Sequence, residues 1–298
     1  MGNIKNIFTT ADFENITGIK AHTIRIWEKR YKLFEPEKSA RNIRHYDLAA
    51  LQKLLNIALL HKQGYKISKI ANLTDGEIAQ TASTFVNAKI DDEYILSQLK
   101  IAMFGFDTAL FNQIYQQSLA QNTFRTVFIK IFAPFLYFLG ELWHTHSINA
   151  THEHFITNLM YQKIQVEIEK LPINPKKADK PTFILYLPEE EMHEIGLLFL
   201  NYELKQRGFH TIYLGRSIPF ADLAKLKTIA PLIHWVSVFT MTPITQIAQD
   251  YLTQVDASLL DEQHQFWAIG YQLKSIDTTN FSNKIKLFPS IKTVVEKL

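Results

Sequence analysis

One short stretch of the chain combines a histidine with acidic residues, namely Glu191, His193 and Glu194. A neutral imidazole can bind a metal through one ring nitrogen while a nearby carboxylate accepts a hydrogen bond from the other. Glu191 or Glu194 can supply that carboxylate. Taken alone, the stretch also fits a solvated acidic loop that contains one histidine, so the rest of the chain must decide between the two interpretations.

A second candidate group lies in segment 143–154, where Trp143 precedes Glu153 by ten residues. The segment also contains His144, His146, His152 and His154. Core packing is the commoner fate of a tryptophan, and the histidines fit a polar loop. Imidazoles also ligate zinc, so a metal site is a further interpretation, although the spacing follows no standard zinc pattern.

The third candidate group is the basic start of the chain. Residues 1–78 contain 13 Lys or Arg against 8 Asp or Glu, whereas the remaining 220 residues contain 19 against 21. A basic region of this kind is a candidate for binding a polyanion. An ordinary basic surface is the alternative interpretation.

The elements that position these basic residues follow a helix-turn-helix pattern. Helices are predicted over residues 8–16 and 21–31, joined by a tight turn at Gly18. Thr9 or Thr10 is the expected cap of the first helix. The second helix can bring polar and basic residues to base edges and phosphates in the major groove. These residues are His22, Thr23, Arg25 and Lys29.

A short hairpin wing is predicted next, carrying Arg41, Arg44 and Tyr46. Arginine suits bidentate phosphate contact, and a tyrosine hydroxyl can add another contact. Asp47 should cap a helix that ends near His61, and a short helix should follow from residue 67 to about residue 73.

The middle and the end of the chain differ in pattern. Apolar periodicity predicts four helices joined by short connections, and hence a bundle, over residues 92–104, 107–120, 123–144 and 149–171. Pro134 should kink the third helix. After about residue 180, strands alternate with helices, which predicts a parallel sheet with helices on both faces. The strands are expected at residues 182–187, 210–214, 233–239, 265–269 and 285–288, and the helices at about 194–207, 220–229 and 243–257.

The predicted sheet indicates where His193 lies in the fold. His193 follows the first parallel strand, and open α/β sheets hold ligands at the carboxyl ends of their strands. The sequence has no Gly-x-Gly-x-x-Gly motif and no P-loop, which argues against a nucleotide held in the usual way.

Composition narrows the class of protein. The chain has 298 residues, 47% of them hydrophobic, and no cysteine, which excludes disulfides and thiolate metal sites. The start has no signal-peptide pattern. The most apolar window, residues 127–142, is interrupted by Lys130 and Pro134 and looks too short to span a bilayer. We therefore expect a cytoplasmic protein with no membrane partner.

Residues 8–73 resemble the winged-helix DNA-binding domain of MerR-type regulators. The matching string runs Thr23-Ile-Arg25-Ile-Trp27-Glu28-Lys-Arg30-Tyr31, then Pro36, then Arg41-x-x-Arg44-x-Tyr46, then Gly64-Tyr-Lys-Ile67-x-x-Ile70. Residues 91–298 resemble the cobalamin-binding module of methionine synthases and of the CarH/LitR-type light-sensing repressors. The matches are Trp143-x9-Glu153-His154, Glu191-x-His193-x-x-Gly196, Ser237 and Gly270.

The resemblance implies a multidomain α and α/β chain. A winged helix-turn-helix is expected over residues 1–78, a four-helix bundle over residues 79–175, and a doubly wound, Rossmann-like cobalamin-binding domain over residues 181–298.

The resemblance also implies roles for the residues of the last domain. His193 would be the lower axial ligand of cobalt, oriented by Glu191 in the loop that ends at Gly196. Ser237 and Gly270 would line the slot for the displaced nucleotide tail of the cofactor.

In the bundle, the resemblance implies that Trp143 covers the upper face of the cofactor, which carries the adenosyl group. Glu153 would lie near the ribose of that group. His154 is the candidate to reach cobalt after light breaks the cobalt–carbon bond.

Three positions depart from the family pattern. Phe239 replaces a leucine, His146 replaces a glycine common in its loop, and Tyr271 replaces the second glycine of the tail slot. A phenol ring at position 271 could obstruct that slot, since glycine permits close backbone approach.

The leading hypothesis is a DNA-binding repressor, not an enzyme, controlled by adenosylcobalamin and light. It would bind a double-stranded operator as a homo-oligomer, either a dimer or a tetramer. The alternatives are a cobalamin-independent repressor that uses its C-terminal domains for oligomerisation or partner binding, and a metal-responsive regulator that uses the histidines of segment 144–154. A component of a methyl-transfer or mutase enzyme is the remaining alternative.

Overall fold

The computed structural model describes residues 7–84, 92–177, 179–241, 245–279 and 281–298. The chain divides into two compact units, residues 1–159 and residues 160–298. Each unit is described by itself.

The first unit begins with the helix-turn-helix. Strand β1 (Phe8–Thr9) leads into α1 (Thr10–Thr17), and α2 (Ala21–Tyr31) follows. Thr9 caps α1 in a capping box, in which the Asp12 backbone N–H donates to Thr9 Oγ1 at 3.2 Å and the Thr9 N–H donates to Asp12 Oδ2 at 2.8 Å. Gly18 ends α1 with φ of 77°, which glycine adopts without strain. The turn and the second helix are confirmed, whereas the first helix begins at Thr10 and the Phe8–Thr9 segment, predicted as helical, forms strand β1.

The wing is a small antiparallel sheet in the order β1-β3-β2, where β2 is Glu37–Lys38 and β3 is Arg44–Tyr46. Asp47 caps α3 (Leu48–Lys62) by accepting the Ala50 N–H at 2.8 Å. The predicted hairpin and cap are therefore confirmed. Helix α4 (Ile67–Ile70) is shorter than predicted, and α5 (Asp75–Thr84) was not predicted.

Four helical segments follow in the first unit and at its end, as the sequence predicts. They are α6 (Asp92–Phe104), α7 (Thr108–Gln121), a long third segment, and α10 (Ala150–Glu169). The third segment contains α8 (Phe124–Val127), a π-helical turn (Phe128–Phe132) and α9 (Ala133–His144). The π turn ends just before Pro134, where the proline ring would clash with a regular helical carbonyl. The distortion expected from Pro134 therefore takes the form of one π-helical turn.

The Phe124–His144 segment is 21 residues long, with a mean hydropathy of 1.4 in its most apolar window. Length and composition alone would let it cross a membrane, so the expectation that this region is too short was wrong. Core helices of soluble proteins pass the same test. Its buried side chains follow the inner face of the helix and include Phe128, Phe135, Leu139 and Leu142.

The second unit contains a five-stranded parallel sheet in the order β5-β4-β6-β7-β8. The strands are β4 (Thr182–Pro188), β5 (His210–Ile218), β6 (Ile233–Val238), β7 (Gln265–Ile269) and β8 (Ile285–Phe288). The helices are α11 (Ile195–Gln206), α12 (Phe220–Leu223), α13 (Thr245–Ser258) and α14 (Ile291–Lys297). The predicted start of α13 at residue 243 lies outside the described residues.

The core of this sheet is built from fully buried side chains, among them Ile184, Trp235 and Phe266. The strand order reverses between β4 and β6, because the chain passes from β4 to one edge and then returns to the other side of β4. The carboxyl ends of β4 and β6 therefore meet at a topological switch point, where α/β sheets bind ligands. The doubly wound parallel sheet expected from the sequence is confirmed.

Candidate functional site

His193 lies in the loop between β4 and α11, at the carboxyl edge of the sheet. Its Nδ1 lies 2.6 Å from Glu191 Oε1. The His193 side chain is 56% exposed, whereas that of Glu191 is completely buried. The loop therefore holds an accessible imidazole by a buried carboxylate.

The Glu191 carboxylate is fixed by backbone donors from two loops. Its Oε1 accepts the N–H groups of Met192 at 2.9 Å and His193 at 3.0 Å. Its Oε2 accepts the N–H groups of Thr240 at 3.0 Å and Met241 at 2.8 Å, just beyond β6. A carboxylate so placed favours a proton on Nδ1, which leaves the Nε2 lone pair for a metal.

Glu194 has different partners, which decides between the two candidate carboxylates. Tyr213 donates to Glu194 Oε2 at 3.1 Å, and Arg216 Nε lies 3.7 Å from Oε1. Burial, with Glu194 as a further cause, raises the pKa of Tyr213 well above its usual value. Tyr213 therefore remains a hydrogen-bond donor, and Glu191 is the carboxylate that contacts His193 Nδ1.

The proposed tail-slot residues make contacts within their own sheet. Ser237 is fully buried, and its hydroxyl donates to the Tyr186 carbonyl at 3.0 Å. A Cβ at Gly270 would lie 2.3 Å from the Phe239 carbonyl oxygen. Gly270 is therefore required by the close approach of the chain itself.

Replacing Gly270 with alanine should destabilise the protein by about 1–3 kcal/mol, as overpacking does elsewhere, because the new methyl group would overlap a backbone oxygen. Gly196→Ala is the matched control. A Cβ there would lie 3.4 Å from Ile291 Cγ1, at ordinary contact distance. Urea unfolding of both variants measures the difference, and equal stability would contradict the steric reason given for Gly270.

Tyr271 does not obstruct the sheet edge in this structure. Its side chain is 74% exposed, and Lys274 Nζ lies 3.9 Å from the centre of its ring. The obstruction of the tail slot that a phenol at this position suggests is therefore not seen as a contact at the sheet edge, and its effect on cofactor binding stays a prediction. The first turn after Gly270 is a 3₁₀ helix that directs the ring into solvent.

The Trp143–Glu153 junction lies within the first unit. Trp143 is 42% exposed, so the core-packing interpretation was wrong. Glu153 lies in the first turn of α10, with Oε2 3.1 Å from His154 Nδ1 and Oε1 3.3 Å from Thr157 Oγ1. The tryptophan at the end of α9 and the carboxylate at the start of α10 are therefore both held at the ends of one interhelical loop.

The four histidines of this segment do not form a metal site. His152 is fully buried beside Phe104 and Phe106, with ring centres 5.1 Å and 5.0 Å away. His144, His146 and His154 are exposed. Within the described parts of the chain, no three His, Cys, Asp or Glu side chains are grouped so that they could hold a metal ion. His146 has a φ of 54°, a left-handed conformation that glycine adopts more easily than histidine.

The polar and basic side chains of α2 lie on its solvent-facing side, as predicted. His22, Arg25 and Lys29 are exposed, Thr23 is half-buried, and Arg41 is exposed at the tip of the wing. Ile24 and Trp27 are buried on the inner face. Helix α2 thus presents its basic side chains to solvent.

Arg44 and Tyr46 are organised by a residue that the sequence reasoning missed. Arg44 Nε lies 3.0 Å from both carboxylate oxygens of Glu28, and Tyr46 donates to Glu28 Oε2 at 3.0 Å. These contacts raise the pKa of Arg44, so its guanidinium stays charged. The described contacts with Glu28 use Arg44 Nε, and the Arg44 side chain is 28% exposed.

Tyr46 differs from its expected role as a phosphate contact. It is only 3% exposed and stacks on Phe13, with ring centres 4.3 Å apart. Burial raises its pKa to about 12. Tyr46 therefore holds the Glu28 carboxylate by a hydrogen bond from within the helix-turn-helix domain, and Glu28 in turn holds Arg44.

The fold and the comparisons with known families together support a MerR-type regulator with a cobalamin-binding module. Residues 8–77 match the MerR HTH family regulatory protein family, and residues 95–166 match the B12 binding domain. The second match covers the helices α6 to α10, so the assignment of His193 rests on the geometry of the sheet edge.

In this combination the chain resembles the CarH-type repressors. It is 24% identical over 220 residues to the HTH-type transcriptional repressor CarH of Myxococcus xanthus, covering 70% of this chain and 71% of the relative. It is 23% identical over 210 residues to the HTH-type transcriptional repressor CarA of the same organism, covering 70% and 68%. The monomethylamine corrinoid protein of Methanosarcina barkeri shares the fold, with a TM-score of 0.57 and 15% identity, over 70% of this chain and 100% of that one.

Proposed function

We propose that this protein is a transcriptional repressor that binds a duplex operator and responds to adenosylcobalamin and light. The observation that carries the proposal is the His193 imidazole, 56% exposed and fixed by the buried Glu191, in a chain that starts with a MerR-type head. The head supports regulation rather than catalysis. We place the protein in the cytoplasm, where the operator is.

The residues at the sheet edge fit a cobalamin. His193 would hold the cobalt through Nε2, with Nδ1 hydrogen-bonded to Glu191. Ser237 and Gly270 would form part of the wall beside it, and the exposed ring of Tyr271 leaves that edge open. Adenosylcobalamin would supply a cobalt–carbon bond that light breaks.

The bundle would supply the residues that sense the upper face of the cofactor. Trp143 is exposed at the end of α9, and Glu153 is held by Thr157 and His154. Trp143 and Glu153 would contact the group that the cobalt carries, and light would remove that contact. His154, whose side chain is 70% exposed and whose Nδ1 lies 3.1 Å from Glu153 Oε2, would be the further candidate to hold the cobalt after illumination.

A switch also needs a physical link between this junction and the DNA-binding head, since a ligand acts only through states that it distinguishes. Asn15 Nδ2 on α1 donates to Ser147 Oγ at 3.0 Å, in the loop between Trp143 and Glu153. Thr145 Oγ1 donates to the same Ser147 oxygen at 3.0 Å. The loop that would respond to the cofactor therefore contacts the helix that supports the recognition helix.

Aromatic contacts form a second link within the same unit. The ring of Phe8, at the start of the head, lies edge-on to Phe104, with ring centres 5.2 Å apart. Phe104 in turn contacts His152, the residue before Glu153. Lys100 adds a hydrogen bond to the Ile16 carbonyl at 2.8 Å, at the end of α1. Movement of the junction would thus change the packing against α1 and Phe8 of the DNA-binding domain.

We further propose that the protein acts as a homo-oligomer, a dimer or a tetramer, and that the dark, adenosyl-bound form is the larger assembly. Several weakly binding heads on one assembly gain affinity by multivalency. Dissociation after illumination would then weaken operator binding in addition to any effect of the junction on a single DNA-binding domain.

Replacing Arg44 with alanine should weaken binding to all duplexes and reduce the slope of log affinity against log salt by about 0.9, as expected for one lost phosphate contact. Fluorescence anisotropy at several salt concentrations measures both quantities. Lys53→Ala on α3 is the control, because it removes one positive charge that pairs with Asp75 instead. An unchanged slope in a folded Arg44→Ala variant would remove Arg44 from the phosphate contacts.

The cofactor part of the proposal is tested by the visible spectrum of the protein mixed with adenosylcobalamin, before and after illumination. We expect the spectrum of a cofactor whose own base is replaced by histidine, and a lasting change after light. Equilibrium dialysis that shows no retained cofactor would instead favour a cobalamin-independent repressor. One observation favours this second function: Ser237 and Gly270 already contact the carbonyl groups of Tyr186 and Phe239 within their own sheet.

A further inference from the structure

The recognition helix displays one apolar side chain on its basic face. Ile26 is 52% exposed, while Ile24 and Trp27 on the opposite face are buried. Helical spacing places Ile26 four residues after His22 and three before Lys29, so the three side chains share the outermost face of α2. His22 and Lys29 are both exposed. An isoleucine in this position leaves half of its surface available to whatever α2 binds.

The chemistry of the bound surface follows from the residues around Ile26. A basic face that surrounds an apolar side chain fits a polyanion that also displays an apolar group. In the major groove of duplex DNA, that group is the C5-methyl of thymine. We propose that Ile26 reads one thymine in each operator half-site through contact with this methyl group.

This inference rests on the proposed DNA-binding function and adds a specificity-determining residue to it. Contacts from basic side chains to phosphates position a protein on DNA without reading its sequence. Ile26 is β-branched, and such side chains are held almost in one rotamer in a helix. Its Cγ2 methyl group is therefore fixed relative to the helix axis, as the recognition of one base position requires.

The test uses thymine and deoxyuridine, which differ only by the methyl group. The full chain first selects a duplex from a random-sequence pool, and each thymine of the half-site is then replaced by deoxyuridine, one at a time. We expect one replacement to weaken wild-type binding about fourfold, the equivalent of one methyl-sized apolar group no longer buried. The Ile26→Ala variant should bind the thymine and deoxyuridine duplexes equally at that position.

Ile43→Ala is the matched control, because Ile43 is 47% exposed but lies on the wing. This variant should keep the wild-type preference for thymine. Ile26→Ala should keep the wild-type salt dependence, since no charge is removed. Two outcomes would overturn the inference: the same deoxyuridine effect in wild type and Ile26→Ala at every position, or an equal loss of affinity on all duplexes. If the chain selects no duplex at all, the DNA-binding function itself fails and takes this inference with it.

Discussion

Replacing His193 with alanine is expected to abolish the histidine-ligated cobalamin spectrum and to weaken cofactor binding by about 100-fold or more. Loss of a supporting residue behind a metal ligand already costs about 10- to 100-fold, and this variant removes the ligand itself. The variant should fold, because the His193 side chain is exposed and Glu191 keeps its four backbone donors. Equilibrium dialysis and the visible spectrum in the dark measure the loss.

Met192→Ala is the matched control for this variant. Met192 is 51% exposed and lies next to His193 in the same loop. Its replacement should leave the ligation spectrum unchanged, and any loss of affinity should be small beside that of His193→Ala. Full retention of the cofactor, with an unchanged spectrum, by His193→Ala would refute the assignment of His193 as the cobalt ligand.

Replacing Trp143 with alanine is expected to separate light from DNA binding, even where some cofactor is still bound. The indole is exposed at the end of the helix before the 145–149 loop, and Ser147 in that loop is hydrogen-bonded to Asn15 of the head. Without the indole, an upper-face group can no longer set the position of the loop. The operator affinity of the cofactor-loaded variant should therefore be the same in the dark and after illumination.

Tyr137→Ala provides the control on the same helix. Tyr137 is an aromatic residue with 75% exposure, outside the junction. Gel shifts of both variants, each loaded with adenosylcobalamin, compare the ratio of dark to illuminated affinity. A wild-type ratio in Trp143→Ala would show that the junction does not carry the signal, whereas loss of the ratio in Tyr137→Ala would point to general damage to α9.

The local elements were predictable because their signals are local. The Thr9 cap, the turn at Gly18 and the bounds of α2 depend on side chains within one or two helical turns, and all are found as predicted. The strands of the sheet were predictable from apolar runs between turns. Their order was not, because it depends on how distant parts of the chain pack against each other.

Tyr46 shows how tertiary packing changes the role of a correctly placed residue. Its position in the wing was predicted, but its burial depends on Phe13 of α1, which no local pattern reveals. The partner Glu28 was also missed. One signal could have predicted this contact. Arg44 and Tyr46 are two residues apart and so lie on the same face of β3, and Glu28 is the only carboxylate of α2.

Tyr271 shows a second limit of prediction from sequence. A bulky residue in place of a glycine predicted an obstruction, yet the backbone turns there and the ring points to solvent. The direction of a side chain at the end of a strand depends on the conformation of the following turn. Tyr271→Gly is therefore not expected to change cofactor binding.

In the proposed switch, one chain joins operator binding to adenosylcobalamin and light. The most direct measurement takes a single cofactor-loaded sample of the wild-type protein and records its operator affinity by gel shift and its size by exclusion chromatography, first in the dark and then after illumination. We expect the dark sample to be the larger oligomer and the tighter binder, and the illuminated sample to be smaller and to release the operator. Identical size and identical affinity in both conditions would contradict the proposed switch.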